Sequence, residues 1–412
     1  MLEWYDFTIY AFVATYLAEQ FFPGTDPNAS LLKAYLAFGG GFIVRPLGAL
    51  VIGSYGDRAG RRAALTLTIL LMGLGTAIIA GAPVYTSIGL WAPFMLLAGR
   101  LLQGLSAGGE VGSAVAYLVE TAHPARRGLV SSVLQASMGL ANICGIAVVI
   151  LCTGLLNHDQ MQAYGWRIPF ILGLIIVPVG LYLRRTLVET DEFTRNVKAR
   201  AVATDSPIRN VWRRYPRQLT VGLGLGTLWA SSVYVFNVYM PTYVQRNFGF
   251  SAPEAYTAAL VANCLFVGTC LLAGTLADRL GCRRLLIISS LLLLVIPSPA
   301  LMWLTSNISV AHLVLVQSML AMCVALFVGA APMALGLLFP AEVRSTGSAC
   351  VYNFAFTIFG GFAPAILTWL AGHTSYSKLA PAGYVMGMAV VALGAALFGF
   401  RWCGVADSVD EL

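Results

Sequence analysis

Apolar runs of about 20 residues recur from one end of this chain to the other, and no other feature limits its fold so strongly. They fall at about 1–22, 31–54, 63–82, 90–119, 128–155 and 166–184, and after a polar stretch at about 218–244, 254–277, 284–304, 310–338, 345–371 and 381–403. Each run is long enough to carry a helix through a hydrocarbon layer of ~30 Å, and a helix satisfies its backbone N–H and C=O groups internally. A β-barrel would instead alternate polar and apolar residues. Only 10% of the residues are charged, against about 25% in soluble domains, so a soluble globular fold is excluded. The expectation is an all-α membrane protein of twelve transmembrane helices: residues 1–184, a linker over 185–216, and residues 217–412.

The net charge of +7 would suit a nucleic-acid binder, but the placement of the basic residues argues for membrane topology instead. Arg184, Arg185, Arg195, Lys198, Arg200, Arg209, Arg213, Arg214 and Arg217 crowd the linker. Arg58, Arg61, Arg62, Arg126, Arg127, Arg279, Arg283, Arg284 and Arg344 lie in alternate loops on the same side, whereas the opposite loops hold Lys33, Arg167, Arg246 and Lys378. The positive-inside rule then puts the linker and, by parity, both termini in the cytoplasm. The eight cysteines are scattered, with no C-x-x-C or Cys/His spacing, so they read as small core residues and no metal site is expected. The first run begins almost at Met1 and contains Glu3 and Asp6, which does not suit a cleavable signal; a natural start further upstream is expected. Nothing resembles a nucleotide-binding loop or a Ser/His/Asp set, so no enzyme is expected.

One charged hairpin occurs twice. Gly53-Ser54-Tyr55-Gly56-Asp57-Arg58-Ala59-Gly60-Arg61-Arg62 returns as Gly274-Thr275-Leu276-Ala277-Asp278-Arg279-Leu280-Gly281-Cys282-Arg283-Arg284. Repetition at matching points of two halves is the mark of an internal duplication. Asp57, Arg58 and Arg61, with Asp278, Arg279 and Arg283, read as a gating latch at the basic end. Glu120 and Glu342 each close a span there, ahead of further basic residues that include Arg344, and read as gate partners.

Ionisable residues within the spans carry the chemistry, because lipid penalises them unless they face a cavity or each other. Glu3 and Asp6 share one helix face, with Tyr10 a turn further on. Arg45 lies in the second span; Arg100 and Gln103 share a face of the fourth, with Glu110 deeper. A guanidinium stays charged and can grip a carboxylate through two hydrogen bonds, which suits an anionic substrate. Glu3, Asp6 and Glu110 are the candidates for proton coupling, since a carboxylate balanced between burial and a neighbouring Arg can take and release a proton. The same residues would also fit plain helix-to-helix ion pairing. The second half lacks such charges and offers Tyr234, Asn237 and Asn353 in their place, with Asn237 close to Pro241; Asn142 in the fifth span fits either a substrate contact or helix packing.

Further stretches carry a family resemblance: Leu2-Glu3-Trp4-Tyr5-Asp6-Phe7, Phe42-Ile43-Val44-Arg45-Pro46-Leu47-Gly48, Gly99-Arg100-Leu101-Leu102-Gln103-Gly104, Gly108-Gly109-Glu110, Gly165-Trp166-Arg167-Ile168-Pro169-Phe170, Arg185-Thr186-Leu187-Val188-Glu189-Thr190-Asp191-Glu192-Phe193 and Phe339-Pro340-Ala341-Glu342-Val343-Arg344-Ser345-Thr346-Gly347. With the paired hairpins, they make the chain resemble the metabolite:proton symporters of the major facilitator superfamily, most of all the citrate and tricarballylate branch. The resemblance implies two pseudo-symmetric six-helix bundles that rock about a central site. It implies proton-coupled uptake of a small carboxylate through a bacterial inner membrane, with the proton as coupling ion, no cofactor and a monomeric unit. Relatives that carry proline or betaine, 2-oxoglutarate or shikimate keep those substrates open. An exporter and a non-transporting metabolite receptor are the alternative readings.

Overall fold

The computed structural model describes residues 2–59, 61–185, 207–373 and 377–404, with backbone alone at 2–3, 53–54, 56–59, 61–62, 65, 176, 183–185, 207–210, 372 and 377. Twelve helical runs follow one another. In the first half they are α1 (Leu2–Phe12, Ala14–Phe21), α2 (Pro27–Ile43, Arg45–Ala59), α3 (Arg61–Gly81), α4 (Trp91–Ala107, Glu110–Thr121), α5 (Arg127–Leu155) and α6 (Ile168–Leu174, Ile176–Arg185). In the second they are α7 (Pro216–Ser232, Val233–Tyr239, Met240–Phe248), α8 (Ala252–Leu280), α9 (Cys282–Val295, Pro297–Ser306), α10 (Val310–Leu338), α11 (Arg344–Ala355, Phe356–Gly361, Ala363–His373) and α12 (Ala380–Gly394, Ala395–Gly399, Phe400–Cys403). Among the described residues, nine runs are long and apolar enough to cross a membrane. The linker expected over 185–216 contains a short helix, Pro207–Arg214. Its Val211 is buried and its Trp212 packs edge-on against Phe354 of α11, which docks the helix at the basic end.

The duplication is visible in the packing. Helices α5 and α8 pack together, and so do α2 and α11; advancing each number by six turns one pair into the other. The same shift relates the contact of α2 and α4 to that of α8 and α10, α3 and α6 to α9 and α12, and α4 and α11 to α10 and α5. The two halves are therefore related by a pseudo-twofold exchange and meet through α1, α2, α4, α5 and their counterparts.

Proline sets several irregularities, because it cannot donate to the carbonyl four residues back and its ring crowds that carbonyl. Pro46 follows the break in α2 at Val44, and the Phe42 carbonyl accepts instead from Thr357 Oγ1 of α11 at 2.8 Å. Pro241 follows the π-helical turn Val233–Tyr239 of α7, and Pro364 follows the π turn Phe356–Gly361 of α11. Such π turns shift side-chain register and are frequent at functional sites. A third π turn, Ala395–Gly399 in α12, leaves carbonyls that Arg283 takes: Nε donates to Ala396 O at 2.9 Å and a terminal N–H to Leu397 O at 2.7 Å.

Candidate functional site

The site begins with the near-contact of α2 and α4. A Cβ on Gly104 would stand 1.6 Å from the Gly41 carbonyl oxygen, and one on Gly108 2.0 Å from that of Arg45. Only glycine permits backbones this close. The seam brings Arg45 of α2 and Arg100 of α4 to one place, 2% and 0% exposed.

Aromatic faces hold both guanidiniums. Arg45 lies 4.2 Å from the ring centre of Phe7 and 4.1 Å from that of Phe42. Arg100 lies 4.5 Å from Phe7 and 4.8 Å from both Tyr10 and Phe38. Cation–π attraction offsets part of the cost of burying these charges. Arg100 also donates to Gln103 Oε1 at 2.8 Å and to the Phe38 carbonyl at 3.4 Å. The Nε of each arginine is buried without a hydrogen-bond partner.

On the other side of Arg100 stands Asp6 of α1, 3% exposed, within the guanidinium's field and against the Thr76 hydroxyl of α3. Gln103 Nε2 donates to that same hydroxyl at 2.9 Å. Arg100, Gln103, Thr76 and Asp6 thus form one polar file through three helices. Gly173 of α6 leaves the space that Asp6 Oδ1 occupies.

The second half closes the site with neutral groups. Tyr234, fully buried on the α7 π turn, packs its ring against Trp4, Phe38 and Phe42, lies in the field of both arginines and sets its hydroxyl beside the Arg45 guanidinium. Asn237 on the same turn is 1% exposed, and both amide atoms lack partners. Buried orphan amides are costly in a finished core and point to a ligand position.

Other expected residues are engaged elsewhere. Tyr10 donates its hydroxyl to Ala34 O at 3.0 Å and offers only its ring to Arg100. Asn142 accepts from Trp4 Nε1 at 3.1 Å and donates to Asn263 Oδ1 at 3.3 Å, so it ties α1 and α5 to α8. Asn353 donates to the Gly108 carbonyl at 2.6 Å, which joins α11 to the α4 break. Glu110, ten residues past Arg100 and thus about 15 Å along the axis, accepts from Thr68 Oγ1 at 3.0 Å. The Glu3 side chain lies outside the described residues.

Both ends are shut. At the basic end Glu120 of the first half and Arg344 of the second form an ion pair of 2.9 Å. Asp278 crosses to the start of α5 and accepts from Gly128 N at 2.6 Å and Leu129 N at 2.9 Å. At the far end Arg246 donates to Asn28 Oδ1 at 2.7 Å, and the Tyr256 hydroxyl donates to the Phe12 carbonyl. Arg283 donates to two carbonyls of the π turn of α12, within its own half. Arg279 and Glu342 are exposed; the side chains of Asp57, Arg58 and Arg61 lie outside the described residues. Thr76, the aromatic sheath and Gln317, whose amide is buried without partners, went unread in the sequence. A hydroxyl on the inner stripe of a span is the only signal Thr76 offers.

Comparison with known proteins agrees with this architecture. A citrate-proton symporter of Klebsiella pneumoniae is 36% identical over 407 residues, covering 98% of this chain and 90% of that protein. A proline/betaine transporter of Escherichia coli is 33% identical over 402 residues, covering 95% and 79%. Among solved structures, a D-xylose-proton symporter superposes with a TM-score of 0.76 at 18% identity, covering 98% of this chain and 95% of that one, which speaks to the fold. The sequence model of the Major Facilitator Superfamily matches residues 1–364. On that match and the six-by-six packing, this chain belongs to the Major Facilitator Superfamily of membrane transporters.

Proposed function

We propose that the protein is a proton-coupled symporter for a small organic anion, a di- or tricarboxylate such as citrate, working by alternating access. The observation that carries this reading is the charge of the buried site: two buried guanidiniums, Arg45 and Arg100, act on each other, and among the described residues the carboxylate in their neighbourhood is Asp6, in the field of Arg100. A buried cation without a counter-ion is strongly unfavourable, so a carboxylate substrate completes the site. Asp6 then carries the proton, and Tyr234 and Asn237 supply hydrogen bonds from the second half. The similarity to citrate-proton symporters supports this substrate class. The basic end is read as cytoplasmic, in a bacterial inner membrane, by its excess of Arg.

A second reading has its own observation. Beside the arginines lies a further aromatic group, in which Trp4 and Tyr234 stand 5.7 Å apart and Phe356 packs on both. Such faces receive quaternary ammonium groups, so a betaine could set its carboxylate on Arg100 and its cation here. Uptake of labelled citrate and labelled betaine into proteoliposomes under an imposed pH gradient separates the two. Citrate accumulation that excess betaine leaves intact supports the first; the converse supports the second. Binding of either without counterflow exchange would make the protein a receptor and overturn both.

A further inference from the structure

We propose that Gln103 and Thr76 form a hydrogen-bonded relay through which the protonation of Asp6 sets the hold of Arg100 on its anion. This deepens the proton-coupled reading above and rests on it. Gln103 bridges two fixed partners, accepting from Arg100 at 2.8 Å and donating to Thr76 at 2.9 Å. Its amide orientation is therefore determined. The Thr76 hydroxyl, which accepts from Gln103, lies beside the Asp6 carboxyl, whose Oδ1 is buried without a hydrogen-bond partner, so a turn of the hydroxyl brings its proton to that carboxyl. All three side chains are fully buried or nearly so, at 0%, 0% and 3% exposure, so water does not compete for these bonds.

The direction of the file follows from the inventory of donors. While Asp6 is a carboxylate it accepts only, Thr76 donates to it, and Gln103 is held with its carbonyl on Arg100. When Asp6 takes up a proton, Thr76 no longer donates to a full negative charge, and the polarisation that this charge passes along Thr76 and Gln103 falls. The hydrogen bonds of the file weaken together, the Gln103 carbonyl slackens on Arg100, and the guanidinium N–H is released toward the substrate. Proton and anion binding thus reinforce one another, which is the sign a symporter needs. Among the described side chains the charged or titratable neighbours of Asp6 are Tyr5 on its own helix and Arg100 from α4; α3 presents Thr76 and α6 presents Gly173. On the α5 side Asn142 is engaged by Trp4.

The relay residues are positioning residues, so the test reads coupling rather than affinity alone. Binding of labelled citrate, and separately of labelled betaine, is measured on purified wild type, Thr76→Val, Thr76→Ser and Gln103→Met at pH 5.5 and pH 8. Comparing variants with wild type for the same probe cancels the ionisation of citrate itself. Wild type is expected to bind its anion about tenfold tighter at the lower pH, within the usual 5- to 150-fold range of linked sites. In Thr76→Val and Gln103→Met that ratio falls toward one, and Thr76→Ser restores it. A uniform loss at both pH values, with the ratio kept, would mean a merely structural role and overturn the relay. A second readout needs no ligand: the infrared band of the protonated carboxyl, assigned by its absence in Asp6→Asn. The relay requires its titration midpoint to be displaced in Thr76→Val and Gln103→Met and recovered in Thr76→Ser. One midpoint for all four proteins overturns the relay. If neither probe binds wild type, the substrate reading fails while the infrared comparison still decides the relay.

Discussion

Replacing Asp278 by Asn should open the basic end far more than replacing Glu120 by Gln, although Glu120 makes the ion pair and Asp278 makes none that is described. Asp278 accepts two backbone N–H groups of the opposite half, at 2.6 and 2.9 Å, in a part-buried setting at the start of α5. Hydrogen bonds to a charged group contribute about 1.5–3 kcal/mol each, and the helix N-terminus adds about 0.3–1 kcal/mol for an anion. An Asn keeps one acceptor and turns an NH₂ toward the second N–H. The loss is therefore about 2–3 kcal/mol, or a shift of about 30- to 150-fold in the closed-to-open ratio at that end. Glu120 is 45% exposed, and its partner Arg344 also donates to Gly336 O and Phe339 O, which keep the guanidinium in place without it. An exposed pair contributes about 0.2–1 kcal/mol, so Glu120→Gln shifts the ratio about fivefold at most. Spin labels at His123 and Ala341, one on each half at the basic end and both exposed, report the populations by pulsed dipolar distance measurement. The reasoning is refuted if Glu120→Gln populates the long distance as much as Asp278→Asn does.

The site supports further expectations. Arg100→Lys keeps the charge but loses the planar fork and its stacking on Phe7, Tyr10 and Phe38, so anion binding should weaken about 100-fold while the protein still folds; affinity measured on purified protein checks this, and unchanged binding would remove Arg100 from the site. Asn237→Leu removes an amide without protein partners, so thermal stability should hold or rise slightly while substrate affinity drops about tenfold or more; a large loss of stability would show the amide to be structural. Arg283→Met strips two carbonyls of the α12 π turn of their donor and should cost about 2 kcal/mol, lowering Tm by a few degrees in a thermal melt; an unchanged Tm would show that the π turn does not depend on that donor.

The fold was legible because the membrane enforces it. Apolar runs mark the spans, and the repeated hairpin reveals the duplication. The interruptions beside Pro46, Pro241 and Pro364 were harder to read, since each sets a proline against the helical ladder and its outcome depends on tertiary contacts. Pro46 could have ended α2; it does not, because Thr357 arrives from the other half to take the Phe42 carbonyl. The charged part of the site was legible for a related reason: Asp6, Arg45 and Arg100 are expensive in lipid, so their presence demands mutual contact. Neutral polar groups carry no such demand. Asn142, Asn237 and Asn353 look alike in the sequence, yet one knits the halves at mid-depth, one presents an unpaired amide, and one closes the α4 break.

The second copy of the repeated hairpin gives its charged residues different contacts. Asp278 and Arg283 are five residues apart; the aspartate reaches across the halves, and the arginine meets carbonyls of α12. Arg283 turns inward because α12 carries a π turn whose carbonyls need donors, and a guanidinium with five N–H groups can meet two of them at once. The motif therefore combines two physical tasks. Its carboxylate meets the N-terminus of a helix from the other half, a contact that the alternating access proposed above would break and remake. Its arginine ties the helix that follows to α12. That proposal calls for both, because a latch on a yielding support would store no preference for either state.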